Sequence, residues 1–321
     1  APPPMLDLLF QLLQMTLVIA LAPALTGLVR KVKARLTRKR GAPIWQPYFD
    51  LARLARKEAI VAESASSYFR AAPYLIFAST WVAAALAPTF ATGLLFSWSA
   101  DLIAIVALLG FGRFALTLAG MDVGTSFGGL GASREAMFAT LAEPAMLTIV
   151  FCLALLAGST QLSTIAEYLT THDVGLRVTL GMALIALVMV ALAENGRVPI
   201  DNPATHLELT MVHEAMILEY SGRHLALIEL AAMLKLLLYV SIIGCVFVPW
   251  TLAVGDDATG QARLAGVGFY VGKLAVAGVA LGAFETSIAK MRVFRVPNFL
   301  GAALMLGLLG ALLLFVSRSL R

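Results

Sequence analysis

Residues 194–222 read ENGRVPIDNPATHLELTMVHEAMILEYSG, a stretch that carries the carboxylates Glu194, Asp201, Glu208, Glu214 and Glu219 together with Arg197, His206 and His213. Apolar runs long enough to cross a bilayer stand on both sides of it. A charge in or beside lipid is costly, so groups of this kind turn toward a protein interior or a water-filled cavity, where they can carry protons or ions. The fold that follows is a bundle of membrane helices with a polar heart, and proton handling is its first functional expectation.

Working outward, the whole chain supports that frame. It is 60% hydrophobic and 13% charged over 321 residues, against roughly 25% charged residues in soluble domains. The net charge of +5 does not point to nucleic acid, because the basic residues concentrate in RKVKARLTRKR at 30–40, directly after an apolar run, as topology signals do. Eight runs approach the ~20 residues needed to span the hydrocarbon core: Met5–Val29, Pro73–Gly93, Leu102–Ala119, Ala136–Gly158, Val178–Leu192, Leu225–Val254, Ala265–Phe284 and Phe299–Val316. The fifth is short and can extend through Glu194. The expected architecture is all-α: a single polytopic membrane domain over 1–321, with cytoplasmic loops near 30–72, 120–135, 193–224 and 285–298. Lys and Arg fall mainly in those loops, from Arg30 to Arg70 and at Arg134, Arg197, Arg223, Lys290, Arg292 and Arg295. Arg177, Arg263, Arg318 and Arg321 fall on the other side, and Arg113, Lys235 and Lys273 within spans. This asymmetry predicts both termini outside.

Two of the cytoplasmic loops carry further pattern. In IWQPYFDLARLARKEAIVAE, from Ile44, helical spacing puts Ile44, Tyr48, Leu51 and Ala55 on one side and Asp50, Arg53 and Lys57 on another. This is the pattern of a short interface helix. It serves either as a surface anchor or as a dock for a soluble partner, and Gln46, Asp50, Arg53, Lys57 and Glu58 are the candidate docking residues. In the acidic loop, Asn202-Pro203 breaks regular structure, and HLELTMVHEAMILEYSG is predicted to form a helix ended by Gly222. On that helix Glu208 and Glu219 return within about 20° of one another.

The fourth span opens with ASREAMFATLAEPAML, in which Glu135, Ala139 and Glu143 follow at i, i+4 and i+8, so both acids share one face; Pro144 is expected to loosen the turn beneath them. A buried carboxylate needs a cation or a raised pKa, and Arg113, Arg134, Lys235 and Lys273 are the cations on hand. Glu229 and Glu285 extend the set of in-membrane acids. The alternative reading of any one of these charges is a static ion pair locking two helices. GGLGAS at 128–133 reads as a tight turn, since no P-loop lysine follows it, and motifs of soluble enzymes are missing. Cys152 and Cys245 sit in apolar runs without metal-ligand spacing. No cofactor is expected on this chain, and any electron-carrying metal centre belongs to partner chains.

Three segments together resemble a known family: GAPIWQPYFDLARLARKE at 41–58, GASREAMFATLAEP at 131–144, and residues 194–222, with Glu194-Asn195, Arg197, Pro199, Asp201, Pro203, Glu208 and the closing Glu219-Tyr220-Ser221-Gly222. The chain resembles the subunit 1 family of respiratory complex I and its relatives, the membrane subunits of group 4 nickel–iron hydrogenases, over nearly its whole length. Within that family DNPATHLELTMVHEAMILEYSG is similar to the formate hydrogenlyase and hydrogenase-4 type. The quinone-reducing subunits usually carry further glutamates where Ala204 and His206 stand here. The resemblance implies a heel-like subunit in a bacterial or archaeal cytoplasmic membrane. Its implied partners are hydrogenase large and small subunits, a ferredoxin-like iron–sulfur subunit and antiporter-like membrane subunits, with the iron–sulfur clusters and the nickel–iron centre on the soluble ones. It further implies a line of acids carried by Glu135, Glu143, Glu194, Asp201, Glu208, Glu214, Glu219, Glu229 and Glu285, with Lys235 and Lys273 along it and Arg113, Arg134 and Arg197 as charge partners. A quinone-site subunit, a stand-alone transporter and a purely structural anchor are the competing expectations.

Overall fold

The computed structural model describes residues 4–93, 96, 99–171, 178–201, 211–253 and 260–319. Among them the chain is all-helical: α1 Pro4–Leu36, α2 Gln46–Ala55, α3 Ser67–Leu86, α4 Leu102–Asp122, α5 Ser126–Ala157, α6 Leu162–Thr171, α7 Val178–Glu194, α8 His213–Ile217, α9 Gly222–Phe247, α10 Gly260–Ser287 and α11 Val296–Ser319. Seven of these are long and apolar enough to cross a membrane (α1, α3, α4, α5, α9, α10 and α11). The eighth, α7, has 17 residues and rises about 25 Å at 1.5 Å per residue, the short limit for a span. The chain is a polytopic all-α membrane protein. Its spans are apolar on nearly every side, as helices between lipid and protein must be. Residues such as Phe114, Phe151, Val276, Leu312 and Phe315 face outward, where lipid rather than water is the solvent.

Local sequence sets the helix ends. Ser66, Asp101 and Thr125 cap α3, α4 and α5 by accepting the amides of Tyr68, Ile103 and Gly128, and Gly158, at φ +75°, closes α5 in the left-handed region that a Cβ disfavours. Two expectations of the sequence are corrected here. GGLGAS at 128–133 is not a turn: it forms the first turns of α5, which starts at Ser126. Its glycines serve close packing, since a Cβ on Gly128 would stand 2.2 Å from the Gly120 carbonyl oxygen and one on Gly131 would stand 2.8 Å from that of Val212. The long helix expected over 206–222 is confined, among the described residues, to His213–Ile217, and Gly222 opens α9 rather than ending a helix. Residues 202–210, with His206 and Glu208, lie outside the described residues, and so does the expected pairing of Glu208 with Glu219. The structure also adds α6, whose ten residues are too few to span.

α9 is the axis of the bundle, packed against α1, α2, α3, α6 and α7, while α10 and α11 are peripheral. α11 lies along α5 and α7, and α10 along α1. The α1–α10 seam is built on Gly278 and Gly282, where an added Cβ would crowd Leu25, Leu28 and Val32 of α1. Among the described residues, inter-loop hydrogen bonds gather at two ends of the bundle. At one end, here called the basic end, Ile60 and Ser221 exchange hydrogen bonds of 2.9 and 3.0 Å, the Ser66 amide reaches Asp122 at 2.8 Å, and the Met291 amide reaches the Pro199 carbonyl at 2.7 Å. At the other end Thr92 pairs with Ala253 and Leu102 with Thr160. There the buried Arg263 meets Asp7 at 2.7 Å and lies over the Phe10 ring.

Candidate functional site

Arg113, halfway along α4, is the centre of the polar heart. Two glycines in the turn before it let neighbours close in: a Cβ on Gly112 would come within 2.9 Å of Ser79 Oγ on α3, and one on Gly110 would stand 3.5 Å from Glu143. The guanidinium, 7% exposed, faces three carboxylates. Its Nε lies 3.8 Å from Glu135, its Nη1 3.7 Å from Glu143, and its Nη2 donates to Glu194. Lys235 of α9 completes the set at 2.8 Å from the other oxygen of Glu194, whose side chain is 2% exposed. The i, i+8 spacing of Glu135 and Glu143 therefore aims both at one cation. Three acids face two bases, one carboxylate more than the cations beside them, and buried charged groups of this kind shift one another's protonation.

α7 supplies Glu194 because it ends there. Gly196, at φ +54°, turns the chain in the left-handed region, and the Arg197 amide returns to the Leu192 carbonyl at 2.9 Å, a glycine-terminated helix end. The turn sends Arg197 away from the Arg113 cluster to Glu285 of α10, at 3.5 Å, and Lys33 of α1 meets the other oxygen of Glu285 at 2.7 Å. Burial is the leading influence on Arg197 and draws its pKa below the ordinary value, Glu285 opposing and Arg30 adding to the shift.

A cavity of about 90 Å³ lies against Arg113, Glu135, Glu194 and Lys235 and continues to Asp201 and His213 of the acidic loop, with room for several waters and enough polar partners to hold them. Asp201 accepts the Val212 amide at 3.2 Å and pairs with Lys290 at 3.3 Å. Among the described residues Arg134 meets no carboxylate; it donates to the Met211 carbonyl at 3.0 Å, and so fastens the same loop. His213 is held neutral: burial, with the Lys235 charge adding to it and Asp201 opposing, lowers its pKa to about 4.

The remaining candidates fall elsewhere. Glu214 is half-buried in α8 and Glu219 is exposed. Glu229, partly buried on α9, feels the charges of Arg30 and Asp50 rather than those of the Arg113 cluster. Lys273 donates to the Val248 and Gly244 carbonyls at the far end of α9, where a cation suits a helix C-terminus. Sequence reasoning missed Lys33 and Lys290, which read as ordinary members of basic loops. It also missed the Asp7–Arg263 pair, although a lone acid inside an apolar run was a signal for it.

The interface helix α2 packs on α9 and α1. Ile44, Tyr48 and Leu51 turn inward as expected, but Ala55 is exposed, and Leu54 takes the inward place. Gln46 donates to Asp50 at 2.9 Å and Arg53 lies 3.9 Å from it. Lys57 and Glu58 present exposed side chains while their backbone is seated on Gly222, where a Cβ would meet the Glu58 oxygen at 2.3 Å. At the other end of the segment a Cβ on Gly27 would meet the Ile44 oxygen at 2.0 Å. Tyr220 stacks on Phe69 at 4.0 Å and donates to its carbonyl at 3.0 Å. The EYSG motif is thus the clamp that ties the acidic loop to α3 and to the α2 segment.

The NADH dehydrogenase family profile matches residues 9–316. Hydrogenase-4 component C of Escherichia coli is 34% identical over 242 residues, covering 75% of this chain and 76% of that protein. Formate hydrogenlyase subunit 4 of the same organism is 30% identical over 293 residues, 91% of this chain and 94% of that protein. NADH-quinone oxidoreductase subunit 8 of Rhodothermus marinus is 30% identical over 215 residues, 63% of this chain and 60% of its own length. A chain in the structure of the membrane-bound sulfane sulfur reductase, an archaeal respiratory membrane complex, shares the fold at a TM-score of 0.79 and 18% identity, covering 96% of this chain and 99% of that one. The chain belongs to the NADH dehydrogenase family of membrane subunits, that of complex I subunit 1.

Proposed function

We propose that this chain is the membrane-anchor and proton-coupling subunit of a multisubunit group 4 nickel–iron hydrogenase of the formate hydrogenlyase kind. Its place is a bacterial or archaeal cytoplasmic membrane with the basic end inside. The observation that carries this reading is the Arg113 cluster, with three carboxylates drawn from α5 and α7 around one guanidinium and a lysine, beside a cavity of mixed polar and apolar lining that continues to Asp201 and His213. A purely structural pair needs one acid and one base. A third acid beside a cavity large enough for water is what proton movement needs. Electrons travel on partner chains in this reading, through iron–sulfur clusters to a nickel–iron centre, and this chain moves protons in response.

The α2 segment and the clamped acidic loop, both at the basic end, form the surface that docks the hydrogenase and ferredoxin-like subunits. Glu143 marks the other junction. Its side chain is 45% exposed in mid-helix, and a carboxylate at that depth calls for cover by another membrane subunit, here an antiporter-like one. The likeness to an NADH-quinone oxidoreductase subunit keeps a quinone-site role as the second reading.

Replacement of Glu135 by Gln in the assembled complex, which leaves Arg113 and Lys235 paired with Glu194, tests the proposal. The expected outcome is retained assembly with proton translocation per electron pair falling at least roughly tenfold, the scale on which general acid–base groups act. Unchanged translocation would remove the coupling role. Hydrogen evolution arrested by quinone-site blockers would favour the second reading.

A further inference from the structure

Between α9 and α10, with α7 at its back, runs an apolar crevice of about 760 Å³. Its wall on α10 extends from Gly268 to Phe284, a rise of about 24 Å, against a depth of roughly 15 Å for the hydrocarbon of one leaflet. The space is open: a Cβ on Gly268 or on Gly272 would meet nothing within 4 Å. Ser241 and Tyr270 in its wall satisfy each other at 2.7 Å. Unlike those two, Arg197 lines the mouth of the crevice at the basic end and offers donors to an occupant.

Size and charge decide what fits. The crevice is long, apolar and open along one side, and the guanidinium at its basic end calls for an anionic partner. A thin flexible chain conforms to it. Apolar packing alone, however, gives an acyl chain little reason to prefer this crevice to bulk lipid, so a resident must be selected by its headgroup. At the mouth, Arg197 and Lys33 share the single carboxylate of Glu285, at 3.5 and 2.7 Å, and remain 15% and 29% exposed. Counted over the described residues, that group is one positive charge in excess, and the Arg30 charge also acts on Arg197. Basic pockets between membrane helices at the cytoplasmic side attract anionic headgroups.

We propose that the crevice between α7, α9 and α10 holds an acyl chain of a glycerophospholipid whose anionic headgroup is drawn to Arg197 and Lys33. The site adjoins the Glu285 cluster and does not depend on the proton-coupling reading.

Native mass spectrometry of the intact complex, purified in mild detergent from membranes containing phosphatidylglycerol and phosphatidylethanolamine, tests it. One phosphatidylglycerol retained per complex is expected, favoured over phosphatidylethanolamine by roughly fivefold or more. Gly272→Phe fills the crevice while leaving both ion clusters untouched, and the retained lipid is then lost. If that variant disturbs assembly, Ala280→Phe, on the same wall nearer the mouth, is the second plug, with the same expected loss. After delipidation, added phosphatidylglycerol rebinds to the wild type and not to the plugged complex. The proposal is overturned by an equal lipid complement in plugged and wild-type complexes, by equal retention of the two lipids, by a prenyl quinone as the retained species, or by a partner helix seated in the crevice of the assembled complex.

Discussion

Glu194 and Arg197, three residues apart at the end of α7, belong to different ion clusters. Glu194 closes on Arg113 and Lys235, and Arg197 on Glu285. The left-handed turn at Gly196 separates them. One short segment is thereby wired to α4, α9 and α10 at once, and displacement of the acidic loop would act on both clusters together.

Arg113→Ala strands Glu135, Glu143 and Glu194 with Lys235 as their nearest remaining cation. Breaking a buried pair by removing one partner costs about 3–5 kcal/mol. The expected result is a sharp fall in thermal stability and in yield of assembled complex. Arg113→Ala combined with Glu194→Gln should recover part of that loss, which a double-mutant cycle on thermal unfolding reads directly.

Glu143→Gln keeps shape and hydrogen bonding and removes only the charge. Its side chain is 45% exposed at mid-membrane depth, where removing the charge also removes a desolvation cost, so assembly should be retained, whereas proton translocation by the assembled complex is lost. Translocation at the wild-type level would make Glu143 a bystander.

His213 links loop stability to pH. Its pKa is lowered to about 4 in the folded protein, against about 6.5 in the unfolded chain. As pH falls below about 6.5 the unfolded state takes up the proton first, so this residue's contribution is complete above that pH and declines between 6.5 and 4 by up to about 1.4 kcal/mol per unit. Hydrogen exchange of the 211–221 amides from pH 8 to 5 should show loosening below pH 6.5 in the wild type and a flatter profile in His213→Gln.

Gly222→Ala meets two obstacles, a φ of +52° and a Glu58 oxygen 2.3 Å from the new Cβ. The backbone conformation alone costs about 1–2 kcal/mol, and the 57–60 segment must also leave its seat. Trypsin should then cut after Arg56 or Lys57 faster than in the wild type. Gly124→Ala, with φ +74° and nothing within 4 Å of its Cβ, carries the backbone cost without the clash and should leave cleavage there unchanged.

The spans were legible because length and apolarity are properties of contiguous residues. Even the short α7 and its extension to Glu194 could be read, as could the shared face of Glu135 and Glu143, since one helix carries both. The acidic loop was less legible. HLELTMVHEAMILEYSG has helical spacing, but Tyr220 stacks on Phe69 and Ser221 binds the Ile60 backbone, and these distant contacts outweigh local propensity. GGLGAS looked like a turn because glycine permits one. The close approach of Gly120, on the preceding helix, and of Val212, 81 residues beyond Gly131, is permitted equally well by the same glycines and is decided by packing.

The sequence by itself determined that this chain is a helical membrane bundle, where its spans fall, and that charge concentrates beside them, because burial in lipid constrains every stretch of about 20 residues on its own. Only the tertiary structure decided which acid faces which base. Arg113 and Glu194 are 81 residues apart and Arg197 and Glu285 are 88. No periodicity reaches across such intervals; partners are chosen by how α4, α7, α9 and α10 pack, and by the glycines that let them approach.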